Sequence, residues 1–312
     1  MKQILVVDDD IHIAELLKLK AAELGYGVAT CHSRKSAREA LRAAKPDLII
    51  LDVMLGDGLG YSVAREVRSD EKLFHIPILF QSRASDTHDI EYAIEEGGDG
   101  FLHKPYTMDD LKQHLSRMHK LSDKLAQRCE TTGLPGVALF HRAVDRCLLR
   151  KDSIAVCLIA IKGLTIYRED YGPEAIKRVA RITHDTLKAA DADLIGEQVQ
   201  ACHLGNGQFL AIVHEGAYQL YREALRDAFI AQHRSLMDAG LESYVSSDKS
   251  GAPGKRFALS IHAVHTARET PRHSSEIFEK LRKMSDEYNK ADIVRKRRSA
   301  KRTTRGHEHW VE

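Results

Sequence analysis

Four short apolar runs in the first third of the chain each give way to a polar residue, and no other feature of the sequence constrains the fold as tightly. Ile4-Leu5-Val6-Val7 meets Asp8 and Asp9, and Leu48-Ile49-Ile50-Leu51 meets Asp52. Ile76-Pro77-Ile78-Leu79-Phe80 is followed closely by Ser82, and Gly100-Phe101-Leu102-His103 meets Lys104. Runs rich in Val and Ile with little polar alternation are expected for strands buried on both faces. A helical pattern (Ile13, Leu16, Leu17, Leu24) follows the first run and stops at Gly25. Ser33 is placed to cap a second helix that ends at Lys45-Pro46. Strands alternating with helices predict an α/β domain, a parallel sheet covered on both sides. Such sheets form their sites beyond the carboxyl ends of the strands.

The polar residues that end the runs should therefore converge. Asp8, Asp9 and Asp52 would crowd three carboxylates at one sheet edge, a costly arrangement unless a hard cation neutralises them. Mg²⁺ suits such a set, because it takes oxygen ligands and keeps positions open for water and phosphate. Lys104 adds a point charge for a phosphoryl oxygen, and Ser82 a hydroxyl donor. Metal and lysine together would stabilise the charge spread over a transferring phosphoryl group. Any one of these residues alone would more often be a loop acid or a helix cap; their joint placement is what carries the reading.

Residues 1–122 resemble the receiver domain of bacterial two-component response regulators (CheY-like), with each principal motif in order. The resemblance implies a flavodoxin-like doubly wound parallel sheet, Asp52 as phosphoacceptor and Asp8 and Asp9 as the acidic pair. It also implies a metal contact from the Met54 backbone carbonyl, Ser82 as the switch hydroxyl, Lys104-Pro105 as the phosphate lysine with its proline, and Phe101 at the aromatic switch position. A sensor histidine kinase or phosphotransfer protein is the implied phosphoryl donor. Two positions depart from the pattern. Gly56 replaces a usual proline, which should loosen the loop after Asp52, while Gly60 of the same motif is retained. Arg83 follows Ser82 where a small residue is usual, and a long cation there either hinders access or pairs with the phosphoryl group.

Leu111, Leu115, Met118, Leu121 and Leu125 keep one face of a long helix that outruns the receiver. Residues 123–130 then read as a helical linker, either a simple connection or a stalk pairing with its copy in a homodimer. A second domain, 131–294, opens at Thr132-Gly133-Leu134-Pro135 with a helical stretch to Arg150. Strand Ile154 to Ile161 follows, then a break at Tyr171-Gly172-Pro173 and a helix from Glu174 to Ala190. Val199 to Leu204 and Phe209 to Val213 read as a hairpin about Gly205-Asn206-Gly207-Gln208. A helix from Ala217 to Ala239, a polar loop from Ser246 to Gly254, a strand from Phe257 to Val264 and a helix from Ser275 complete an α+β pattern.

The Thr-Gly-Leu-Pro start, the Gly-Asn-Gly-Gln-Phe hairpin, Tyr171-Gly172 and the order of elements resemble the GGDEF domains of diguanylate cyclases, across about residues 129–294. The resemblance implies a nucleotide-cyclase-like α+β fold whose catalytic residues have been lost. In the degenerate motif Gly205, Asn206, Gly207, Gln208, Phe209, Gly207 stands where the turn would carry an acidic metal ligand, and Gln208 replaces the next glutamate. Ala160 takes the place of the metal-binding aspartate, Arg168 and Lys177 fall where guanine is read, and Gly196 and Val199 occupy the product-inhibition motif. Joining two GTP molecules needs carboxylates to hold divalent metal against the triphosphates. The expectation is therefore no enzyme, only phosphoacceptor chemistry at Asp52 with an output acting through protein contacts. The alternatives are a cyclase with residual or partner-dependent activity, or a nucleic-acid regulator using a basic tail.

Residues 1–125 carry 17 Lys/Arg against 21 Asp/Glu, and the remainder 30 against 24. Much of that basic excess lies in 295–312, where Arg295-Lys296-Arg297-Arg298 and its neighbours read as a solvated tail. With no helix-turn-helix in view, a nucleic-acid partner ranks last. His307-Glu308-His309 is too short for a metal site. Cys31, Cys129, Cys147, Cys157 and Cys202 are scattered, fitting neither a disulfide framework nor zinc, and no run reaches membrane-spanning length. Those two features lead to the expectation of a cytoplasmic location.

Overall fold

The computed structural model describes residues 1–83, 87–162, 164, 172–192, 200–236 and 258–286. Arg168, Tyr171, Gly196, Val199, the 246–254 loop and the 295–312 tail lie outside the described residues. The chain forms two compact units. Met1–Arg128 with Ala138–Arg150 make the first, and Cys129–Val137 with Lys151–Glu312 the second.

In the first unit, β1 (Gln3–Val7), β2 (Gly27–Cys31), β3 (Leu48–Asp52), β6 (Ile78–Ser82) and β7 (Gly100–His103) make one parallel sheet in the order β2-β1-β3-β6-β7. That order is the doubly wound, flavodoxin-like one. The arms of a two-stranded hairpin, β4 (Met54–Leu55) and β5 (Gly58–Leu59), follow β3. Side chains alternate strictly along the buried strands. Leu5, Val7, Ile49, Leu51, Ile78 and Phe80 share one core with Ala37 and Leu41 of α2 (Arg34–Ala43) and Val63, Ala64 and Val67 of α3 (Tyr61–Ser69). Ala93 of α4 (Thr87–Glu95) joins the same core. Ile4, Val6, Leu48, Ile50, Leu79 and Leu102 face the other way. They pack on Ala14, Leu17 and Ala21 of α1 (Ile11–Glu23) and Leu111, Leu115 and Met118 of α5 (Met108–Ala126). Apolar residues at consecutive strand positions are what two covered faces require, so the runs are continuous where a one-sided sheet would alternate.

Local signals set the helix ends. Asp10 caps α1 by accepting from the N–H of His12 and Ile13, and Ser33 caps α2 in a reciprocal box with Ser36. Gly25 takes φ +87, the left-handed turn that ends α1. Edge strand β2 has no strong run in the sequence because it is half-exposed, and Gly27-Val28-Ala29-Thr30-Cys31 carries little apolar bulk.

The helix α6 (Val137–Arg150) groups with the first unit through most of its length, and an ion cluster accounts for this. Asp99, just before β7, is shared between Arg68 of α3 (Nη2 to Oδ2, 2.7 Å) and Arg142 of α6 (Nη2 to Oδ1). Arg68 is buried and also donates to the carbonyls of Gly97, Phe74 and Ile76 at 2.7 to 3.0 Å. Arg146 of α6 lies over the Phe74 ring, 5.0 Å from its centroid. These contacts sit at the amino ends of β6 and β7, the edge opposite the strand carboxyl ends.

The second unit is α+β. β8 (Ile154–Lys162) pairs antiparallel with both β10 (Gln208–His214) and β11 (Ala258–His265), and β9 (Gln200–Gly205) lies outside β10. Asn206 and Gly207, at φ 48 and 67, join β9 to β10, the paired left-handed residues of a two-residue hairpin turn. Ala155, Cys157, Ile159, Phe209, Ala211 and Val213 form a core with α7 (Pro173–Ala192) and α8 (Tyr218–Leu236). A short α9 (Thr266–Glu269) and a helix over residues 274–286 follow β11. Among the described residues none of the five cysteines is in a disulfide, and no helix is long and apolar enough to cross a membrane.

Candidate phosphoryl and metal site

The carboxyl ends of β1, β3, β6 and β7 bring together the residues the sequence singles out. Asp8, Asp9 and Asp52 offer carboxylate oxygens that all lie within 4.8 Å of one another. Asp8 and Asp52 are buried and Asp9 is exposed. A cavity of about 550 Å³ opens over them, lined also by Asp10, Ile13, Met54, Ser82, Arg83 and Lys104. The Lys104 ammonium is buried and donates to Asp8 Oδ2 and Asp52 Oδ2, each at 2.6 Å. The second oxygen of Asp52 accepts from the Met54 N–H at 3.1 Å. Burial pushes the Asp8 carboxyl above the ordinary range and nearby Asp52 adds to it, while hydrogen bonding and charge from Lys104 pull the other way.

The three carboxylates fit a hard divalent cation. They supply oxygen ligands only, converge on one point, and one lysine leaves their charge incompletely balanced. Ser82 is buried at the end of β6, and Phe101 is partly buried against the core on the α2–α3 face. Arg83 is exposed on the cavity rim. Gly60 shows why a glycine is retained there: a Cβ would collide with the carbonyl oxygen of Asp52. At Gly56 an added Cβ would only touch Asp9 Oδ2 at 3.5 Å, so the space there accepts a side chain.

Gln81 reaches Asp8 directly and Tyr106 only through Gln81, and sequence reasoning passed over both. Gln81, wholly buried in β6, donates from Nε2 to Asp8 Oδ2 at 2.8 Å, and its Oε1 accepts from the Tyr106 hydroxyl at 2.9 Å. The signal in the sequence was an amide at the end of a run of apolar strand residues, which must find partners wherever it is buried. Tyr106→Phe should leave Gln81 Oε1 without this donor and cost about 1–3 kcal/mol in urea unfolding. On a Gln81→Met background the same change should cost less, because no acceptor is orphaned. Strictly additive losses would show that the pair is not coupled.

Comparison with known proteins agrees with this geometry. A family model for the response regulator receiver domain matches residues 4–116. The transcriptional regulatory protein GltR of Pseudomonas aeruginosa is 37% identical over 110 residues, covering 35% of this chain and 46% of that protein. The DNA-binding response regulator MtrA of Mycobacterium tuberculosis is 32% identical over 127 residues, 40% of this chain and 54% of the relative. The chain thus spans about half the length of these relatives. Among solved structures, a two-component response regulator from Clostridium difficile is 25% identical, with a TM-score of 0.36 over 38% of this chain and 97% of that one. With the acids, the lysine and the doubly wound sheet in place, residues 4–116 are a response regulator receiver domain.

Proposed function

We propose that the protein is a two-component response regulator phosphorylated on Asp52 by a sensor histidine kinase or phosphotransfer protein. Its second unit would be a GGDEF-like output domain without cyclase activity, acting through protein contacts. The observation that carries the first part is the convergence of Asp8, Asp9 and Asp52 on one cavity with Lys104 held against two of them. Mg²⁺, held by these acids and the Met54 carbonyl, would neutralise charge on the phosphoryl oxygens when bound. An Asp52 carboxylate oxygen attacks phosphorus, the bond from phosphorus to the donor breaks, and an acyl phosphate forms. Lys104 then passes from a carboxylate to a phosphoryl oxygen, and Ser82 donates its hydroxyl. The added charge draws in the β6 and β7 ends, and Phe101 moves with them. In the test, a small phosphodonor with Mg²⁺ should add one phosphoryl group and change the elution volume or partner affinity. Uptake with identical behaviour in both states would count against the switch.

The reading of the second unit rests on the hairpin. In the β8–β10 register Gln208 lies directly opposite Ala160, so two positions expected to carry acids in an active relative are neighbours here and neither is acidic. Lys177 is exposed and pairs with Glu174 at 2.6 Å, an ordinary solvated contact rather than a base-reading group. Incubation with GTP and Mg²⁺ is expected to yield no cyclic di-GMP from this chain alone, and no gain over an active homologue's own rate when the two are mixed. Product from the chain alone, or a rate above the homologue's own in the mixture, would restore the cyclase reading. The names of GltR and MtrA favour a second reading, nucleic-acid binding, although the similarity to each covers only 35–40% of this chain. Salt-dependent DNA retention by the full chain would support it.

A further inference from the structure

In the second unit a nucleophilic side chain is set against a base. Cys129 begins a tight turn closed by its own N–H to the Leu134 carbonyl (2.8 Å) and by the Gly133 N–H to the Cys129 carbonyl (2.7 Å). Its Sγ stands 3.1 Å from Nδ1 of His203 on β9. The imidazole is stacked on Phe209, its cross-strand neighbour, with ring centroids 4.4 Å apart and 16° between the planes. Stacking thus fixes the ring, and one nitrogen is left to face the sulfur.

The other four cysteines differ in exposure. Cys31, Cys147, Cys157 and Cys202 are buried, and burial pushes the thiols of Cys157 and Cys202 up to about 12. Cys129 is partly exposed. Burial acts to raise its thiol as well, but hydrogen bonds from the side chain and N–H of Thr132 and from Thr131 outweigh that and bring it below the ordinary value. Burial, with a smaller effect from His184, holds the His203 imidazole below its usual value. Near neutral pH the ring is then uncharged, and Nδ1 can either take the thiol proton or donate to the thiolate.

We propose that Cys129 and His203 form a modification site at which the thiol is oxidised by hydroperoxides to a sulfenic acid. The sulfur attacks the terminal peroxide oxygen, so an S–O bond forms as the O–O bond breaks. Sulfur gives up two electrons, and the peroxide is reduced. The thiol proton passes by way of His203 to the leaving oxygen, which departs as water or an alcohol. Partial exposure admits so small an oxidant, and the turn donors stabilise the thiolate that attacks.

The test treats the full chain with hydrogen peroxide and dimedone and follows labelling of each cysteine by mass spectrometry. At neutral pH, Cys129 in the folded chain should label several-fold faster than the same cysteine in urea, because the turn donors enlarge its thiolate fraction. His203→Gln, with an unchanged circular dichroism spectrum, should slow that labelling, because the route for the thiol proton to the leaving oxygen is lost while the turn donors remain. A rate no faster than in urea, or an unchanged rate in His203→Gln, would overturn the proposal. If His203→Gln does not fold, the pH profile of Cys129 alkylation by iodoacetamide in the unmodified protein decides. A midpoint below about 8.5 supports the site, and one at or above it overturns it.

Discussion

Asp52→Asn is expected to carry no hydroxylamine-sensitive phosphoryl label after treatment with a small phosphodonor and Mg²⁺, under conditions that label the unmodified chain. An amide oxygen lacks the charge and basicity to form an acyl phosphate, so the loss should be complete rather than partial. The substitution preserves volume, and its carbonyl can still accept from the Met54 N–H that now meets Asp52 Oδ1 at 3.1 Å. Failure to fold is therefore not the expected cause of the loss. Lys104→Met should fold and yet take up label about 10²–10³-fold more slowly, because the point charge that would meet a phosphoryl oxygen is gone. Label persisting on Asp52→Asn would move the acceptor to another acid, with Asp9 the first to examine because it is exposed on the same cavity.

Asp99→Ala is expected to destabilise the first unit by about 3–5 kcal/mol in urea unfolding followed by circular dichroism. The carboxylate lies between two guanidiniums, those of Arg68 and Arg142. Burial already brings the Arg68 guanidinium down to about 10, with the Asp99 charge working against that effect. Removing Asp99 leaves Arg68 a buried cation whose remaining partners are carbonyls. Arg142→Ala should cost clearly less, because Asp99 keeps Arg68 at 2.7 Å. A loss below about 1 kcal/mol for Asp99→Ala would mean that water reaches the guanidinium and that the pair behaves as a surface contact. The cluster also ties α6 to the receiver sheet at the strand ends opposite Asp52. Comparing Arg142→Ala with the unmodified chain in both phosphorylation states would reveal any coupling along β6 and β7.

Much of the receiver was legible in the sequence because burial on both sheet faces leaves an unmistakable trace. The runs before Asp8 and Asp52 admit no polar alternation, those before Ser82 and Lys104 are broken only at their last residue, and each ends where a strand must deliver a side chain to one edge. Ser33 and Gly25 could be read for the same reason, since capping and left-handed turns are local demands on single residues. In the second unit the Asn206-Gly207 turn was equally local, and β9 and β10 pair about it as the spacing predicts.

What escaped the sequence are contacts between side chains distant along the chain. Gln81 looks like a flaw at the end of an apolar strand until Asp8 and Tyr106 are brought beside it by parallel pairing and the loop after β7. Arg142 reads as a solvated helix residue, and Cys129 as a scattered thiol, until folding sets them against Asp99 and His203. Periodicity and turn chemistry are properties of neighbouring residues, so the sequence alone determined the strand runs, their polar ends and thus the acidic site. The partner that neutralises a buried charge or aims a base is chosen by distance in space, and only the tertiary structure decided those.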